Sequence, residues 1–248
     1  MTATSPDADP TDALSPAPRE LPAVGRVRFY YGPMDCGKST LALQVDHNQS
    51  RQGRQGLRLV SRDRSGQPRI SSRIGITRQA LELDAGTDLR ELVRQRWAGG
   101  ARVDYLIVDE AQFLEPAQVD QLAELADDNQ VDVYCFGLAT DFRSVLFPGA
   151  ARLVELADEL RPVQVEVLCW CGLPARFNAR VAAGRIVRDG DTVLVADTAP
   201  VPEDSGTQRD VGESSTATTV RYQVLCRRHY RLGDLGVTPE VQGQLSFA

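Results

Sequence analysis

The 248-residue chain is short of aromatic residues, at 6%, and has two His, two Trp and two Met. It contains no apolar run near the roughly 20 residues that a membrane-spanning helix needs. Its N-terminus, "MTATSPDADPTDALSPAPRE", lacks a basic stretch followed by an apolar core, so no secretory signal is expected. Basic residues are also in deficit, with 28 Lys and Arg against 34 Asp and Glu and a formal charge of −6. A protein built mainly to hold nucleic acid concentrates positive charge against phosphates. The acidic balance argues against that task while leaving room for a local basic pocket. Cysteine is scarce and odd in number: Cys36, Cys135, Cys169, Cys171 and Cys226. Such a set, with three members towards the C-terminal end, suits metal ligation better than a disulfide framework, and a reducing cytoplasm is the expected setting.

What is present is ordinary for a globular protein, at 42% hydrophobic and 25% charged. This length can bury one sizeable core, or one core and a small satellite domain. Residues 1–22 are rich in Pro, Ala, Asp, Ser and Thr; they bury too little to offset ordering entropy and are expected to form a disordered tail. From Val27 the pattern alternates. "VRFYYG", "LRLVS", "VDYLIVDE" and "VDVYCFGL" read as buried strands. "KSTLALQVDHNQSRQG", "DLRELVRQRW" and "EPAQVDQLAELADDN" read as helices, the last with Pro116 at a permitted first-turn position. Strands alternating with helices predict a parallel α/β sheet with crossover helices over 23–162. Beyond Pro162 the strands shorten and Cys and His gather, predicting a smaller β-rich domain over 163–235. It contains a polar, low-complexity insertion at 197–219, and a tail follows over 236–248.

"GPMDCGKST", residues 32–40, fits the G-x-x-x-x-G-K-[ST] pattern between a strand and a helix. Glycine permits the backbone turn that points successive N–H groups at an anion, and the helix N-terminus adds partial positive charge. Gly32, Pro33, Met34, Asp35, Cys36, Gly37, Lys38, Ser39 and Thr40 are therefore candidate ATP- and Mg²⁺-binding residues. Lys38 is expected on the β- and γ-phosphates and Ser39 on the metal. "YLIVDEAQF" places Asp109 and Glu110 at the carboxyl end of a buried strand, the edge at which parallel sheets bind ligands. Asp109 is a candidate for the Mg²⁺ site and Glu110 for the general base. "LCWCG" and "LCRRH" supply Cys169, Cys171, Cys226 and His229, a set suited to tetrahedral structural Zn²⁺ or, read plainly, to free thiols in a small core.

"GPMDCGKST", "DEAQF", "GLATDFRSVLFPGA", "CWCGLPARFNAR" and "YQVLCRRHY" occur in this order. Together they resemble the type II thymidine kinases, a cytosolic family with a zinc-bearing lasso domain, from about Val27 to Tyr230. The resemblance implies a RecA-like P-loop parallel sheet with flanking helices plus a small zinc-bearing β-rich lasso domain. It implies transfer of the ATP γ-phosphate to the 5′-hydroxyl of thymidine, and less efficiently of deoxyuridine. Under it Lys38 and Ser39 serve ATP and Mg²⁺, Glu110 accepts the hydroxyl proton, and Arg64 stabilises phosphate. Met34, Phe142, Phe147 and Tyr222 match positions that line the thymine pocket, although the three aromatic residues alone would read as core. Arg180 in "FNAR" matches a family arginine, and "SSRIG" at 71–75 a family segment. A homotetramer inhibited by dTTP is likewise implied. DEAQ with a possible zinc module keeps a second reading in view, a P-loop ATPase acting on nucleic acid. The acidic charge and the lack of a second RecA-like domain stand against it.

Overall fold

The computed structural model describes residues 24–61, 68–190 and 220–236. The expected tail over 1–22, Arg64, the insertion 197–219 and the segment from 237 onward lie outside the described residues.

The predicted strands and helices are found, with several short elements added between them. In chain order they are β1 (Val27–Tyr31), α1 (Lys38–Arg51), β2 (Gly56–Ser61), β3 (Arg69–Ser71), β4 (Thr77–Gln79), β5 (Leu81–Leu83) and α2 (Leu89–Ala98). There follow β6 (Tyr105–Asp109), a 3-10 turn (Ala111–Phe113), α3 (Pro116–Asn129), β7 (Asp132–Gly137), α4 (Pro148–Leu156) and β8 (Glu159–Pro162). The C-terminal part holds β9 (Phe177–Ala182), β10 (Arg185–Val187), β11 (Arg221–Leu225) and α5 (Arg227–Leu232).

Six strands form a parallel sheet in the order β5-β2-β6-β7-β1-β8. Both faces are covered, so β6 is buried along its whole length and its residues alternate between two cores. Leu106 and Val108 face the cluster closed by Val93 of α2, Leu122 of α3 and Leu153 of α4. Tyr105 and Ile107 face the cluster closed by Ala42 and Leu43 of α1. Burying each such large side chain stabilises the fold by about 1.5–3 kcal/mol. The helix starts are chemically marked. Asp88 accepts the N–H groups of Arg90 and Glu91 at 2.9 and 3.1 Å, and the Glu115 N–H donates to Gln118 Oε1 at 3.0 Å.

The strand order sets the site. β7 lies between β1 and β6, so the phosphate loop after β1 and the acidic turn after β6 flank its carboxyl end. β3 and β4 pair as a two-stranded antiparallel ribbon, and β10, β9 and β11 form a separate antiparallel sheet in that order. Its core is small and is built around Cys169, Cys226, Ala179, Leu225 and Tyr230. Two long-range bonds tie it to the main sheet. The Tyr230 hydroxyl donates to the Phe142 carbonyl at 2.6 Å, and the Met34 N–H donates to Asn178 Oδ1 at 2.8 Å. No helix of the described residues is long and apolar enough to cross a membrane.

Candidate active site and metal centre

The phosphate loop has the backbone its sequence demands. Asp35 and Gly37 take left-handed conformations, with φ of 68° and 79°, and α1 begins at Lys38. Gly32 has no room for a side chain: a Cβ there would lie 2.5 Å from the Sγ of fully buried Cys36. Lys38 Nζ reaches back over the loop and donates to the Pro33 carbonyl at 2.7 Å. Asp35 forms an ion pair with Arg73 of the "SSRIG" stretch. Ser39 and Thr40 stand in the first turn of α1, half-buried.

Ser39 also meets the acidic turn, its hydroxyl hydrogen-bonding the Asp109 carboxylate. Asp109 is 4% exposed. Burial, then the charge of neighbouring Glu110, pushes its carboxyl up to about 6, against the pull of Ser39, the Glu110 N–H and Lys38. A buried carboxylate beside a hydroxyl offers the oxygen ligands that suit a hard cation, with the Lys38 ammonium close by to meet an anion. Glu110 follows in a left-handed conformation at φ 54°. Gln112 Nε2 donates to Glu110 Oε2 at 2.5 Å, and Gln112 Oε1 accepts the Leu138 N–H at 2.9 Å.

Phe142 sits on a turn held by Asp141, which is 4% exposed and accepts the N–H groups of Arg143 and Val145 at 2.8 and 3.0 Å. The guanidinium of Arg180, buried on β9, lies 3.6 Å from the Phe142 ring centroid. Its Nη2 and Nε donate to the Tyr222 hydroxyl at 3.0 and 3.1 Å. Phe142, Arg180 and Tyr222 are thus brought together across two sheets. Phe147 stands apart from this stack, in the main core and edge-on to Phe113 at 5.6 Å. Met34 enters through its backbone bond to Asn178. A cleft of about 730 Å³ opens among Tyr31–Pro33, Pro162–Val167 and Pro174–Asn178; none of Met34, Phe142, Phe147 and Tyr222 lines it.

The Cys and His residues converge. The ligand atoms of Cys169, Cys171, Cys226 and His229 all lie within 4.8 Å of one another. His229 Nδ1 is 3.4 Å from Cys169 Sγ and 3.5 Å from Cys226 Sγ, and the Sγ atoms of Cys171 and Cys226 are 4.0 Å apart. Bonds of about 2.3 Å to sulfur and 2.0–2.1 Å to nitrogen in a tetrahedron set such atoms roughly 3.6–3.8 Å apart. The group could therefore hold Zn²⁺, with both thiols of the tight C-x-C pair among its four converging residues. Gly172, at φ 82°, makes that knuckle possible. Four protein ligands leave no open position, which is a structural rather than a catalytic arrangement. Trp170 stacks on the His229 ring at 4.3 Å, and its indole N–H donates to the Asp234 carbonyl at 3.2 Å.

Sequence reasoning left out Gln112, Asp141 and Asn178, although each lies inside a quoted motif: "DEAQF", "GLATDF" and "ARFNAR". Their polar side chains within apolar stretches were the available signal.

A family model described as thymidine kinase matches residues 25–230. A protein named thymidine kinase from Cutibacterium acnes is 50% identical over 208 residues, covering 84% of this chain and 89% of its own. Another so named, from Streptomyces coelicolor, is 50% identical over 203 residues, covering 82% and 87%. A third, from Rhizobium meliloti, is 37% identical over 211 residues, covering 84% and 96%. The match takes in the phosphate loop, the acidic turn and all four clustered ligands, and the chain belongs to the thymidine kinase family.

Proposed function

We propose that this protein transfers the γ-phosphate of ATP to the 5′-hydroxyl of thymidine, and of deoxyuridine, yielding dTMP from thymidine in pyrimidine deoxynucleotide salvage. The observation that carries this reading is the junction of Ser39, Asp109 and Glu110, which sets a general-base candidate beside a phosphate loop. Gly32 to Thr40 cradle the triphosphate, and Lys38 exchanges its loop carbonyls for phosphate oxygens. Ser39 and Asp109 would hold Mg²⁺, which when bound neutralises charge on the phosphates. Glu110 takes the proton of the 5′-hydroxyl, a weak nucleophile that gains from a positioned base. Met34, Phe142 and Tyr222 border the nucleoside, flat rings suiting a pyrimidine, with Arg180 bracing Phe142 and Tyr222, while Phe147 packs in the main core. Arg64 stabilises the transferred phosphate.

The Cys–His group holds structural Zn²⁺, so that its binding energy becomes folding energy for the small sheet. dTTP is the expected feedback inhibitor in the nucleoside site, a homotetramer the expected assembly and the cytoplasm the expected location. A nucleic-acid ATPase is not favoured, because the family match is to kinases and covers the DEAQ turn itself.

The test is transfer of labelled γ-phosphate from ATP–Mg²⁺ to thymidine, deoxyuridine, deoxycytidine, deoxyadenosine and deoxyguanosine, with wild type and Glu110→Gln side by side. Thymidine and deoxyuridine are expected to accept phosphate, with a loss of about 10²–10⁴ in the variant. ATP hydrolysis stimulated by DNA, without any nucleoside product, would overturn the reading.

A further inference from the structure

We propose that Gln112 is the residue that positions the base, an inference that rests on Glu110 being the proton acceptor. Gln112 lies in the turn after β6 and is 2% exposed. Both ends of its amide are used: one donates to the Glu110 carboxylate at 2.5 Å, the other accepts the Leu138 N–H at 2.9 Å. A buried amide so engaged has no solvent alternative, and its orientation is fixed by the pair of bonds.

What it joins matters for transfer. Glu110 stands on a left-handed backbone, φ 54°, which most residues with a side chain avoid. Among the described residues, the donor to its carboxylate is Gln112. At the other end, Leu138 is the first residue beyond β7, and the preceding Gly137 carbonyl accepts the Gly32 N–H at 3.4 Å, where the phosphate loop begins. The packing there is tight: a Cβ on Gly137 would come within 2.7 Å of Gln112 Oε1. One side-chain amide thus ties the base to the strand end on which the phosphate loop also rests. It sets the distance between the proton acceptor and the phosphates. A carboxylate free to turn about its own side-chain bonds would spend less time at the attacking hydroxyl, so the loss should fall on kcat rather than on binding.

The experiment uses the full zinc-loaded chain and two variants. Gln112→Met removes both bonds at similar length. Gln112→Glu keeps an acceptor for the Leu138 N–H, and hence the fold, but sets a second carboxylate against Glu110. Each is expected to lower kcat about 10- to 100-fold while the KM values for thymidine and ATP change less than about threefold. The same substitutions are then placed in the Glu110→Gln background, with residual transfer followed by labelled ATP. If Gln112 acts through Glu110, Gln112→Met costs less than about twofold there. Losses that multiply in the two backgrounds, or that follow the fall in Tm, overturn the positioning role and leave Glu110 as the base. Full activity in Glu110→Gln alone removes the base, and the positioning role with it.

Discussion

The Met34 N–H of the phosphate loop donates to Asn178 Oδ1 at 2.8 Å, across 144 positions of sequence. Asn178 is buried on β9, opposite Val224 of β11, in the sheet whose ends carry the Cys–His group. The loop that would hold phosphate therefore hangs in part from the sheet that a metal would brace.

Asn178→Ala leaves the Met34 N–H without this acceptor, a change of about 1–3 kcal/mol for a buried group. The loop must then be ordered by the ligand, and apparent affinity falls with the fraction of competent loop. Steady-state kinetics are expected to show the ATP KM raised by roughly tenfold and kcat changed less. An unchanged ATP KM would break the link between the two sheets.

Metal removal is expected to act through the fold. Cys226→Ser, or exposure to a strong chelator, takes away one of four converging ligands or the ion itself. The small core around Ala179, Leu225 and Tyr230 is then too slight to hold β9 and β11 together. Metal analysis should fall from one zinc per chain, and a separate low-temperature unfolding step should appear in calorimetry. A zinc-free protein with unaltered melting and activity would contradict the structural role.

Tyr222→Phe deletes the oxygen that accepts two N–H groups of buried Arg180, at 3.0 and 3.1 Å. The guanidinium stacked on Phe142 loses this acceptor, at a cost of about 1–3 kcal/mol. The thymidine KM is expected to rise about tenfold, with the ATP KM near wild type. Equal changes in both constants would show that the stack serves general stability instead.

Asp109 makes a pH prediction. Its carboxyl is raised from 3.8 to about 6, foremost by burial and then by the charge of Glu110. The folded chain therefore holds a proton that the unfolded chain releases between those values. The stability from this group is whole below about pH 4 and gone above about pH 6, so the ligand-free protein loses stability as pH rises through that window. Thermal melts from pH 4.5 to 6.5 should show that slope in wild type and a flatter one in Asp109→Asn. Parallel slopes in the two proteins would remove Asp109 as its source.

The two kinds of information divide along physical lines. The phosphate loop was legible because Gly37, Lys38 and Ser39 act through local backbone geometry. The buried strands β1, β6 and β7 were legible because each is an apolar run long enough to be recognised alone. Helices α1, α2 and α3 carried their periodicity and their caps, Asp88 and Glu115, in consecutive residues. By contrast β3, β4 and β5 have three residues each, too few for a period to register, and β8 is the four residues "ELRP", which have no strand signature of their own. Helix α4 escaped because its start, Phe147–Pro148, falls in a motif read for its aromatic residues.

The sequence by itself determined the α/β class and marked the candidate phosphate loop, the acidic pair and the four candidate metal ligands, since each follows from residue type and short spacing. Tertiary structure decided the strand order that sets Asp109 against Ser39, the stacking of Arg180 on Phe142 and the bonds of Gln112 and Asn178. Those bonds join residues 26 and 144 positions apart. Neither partner carries a mark of the other, because such a pairing is selected by the packing of the whole core and not by any local propensity.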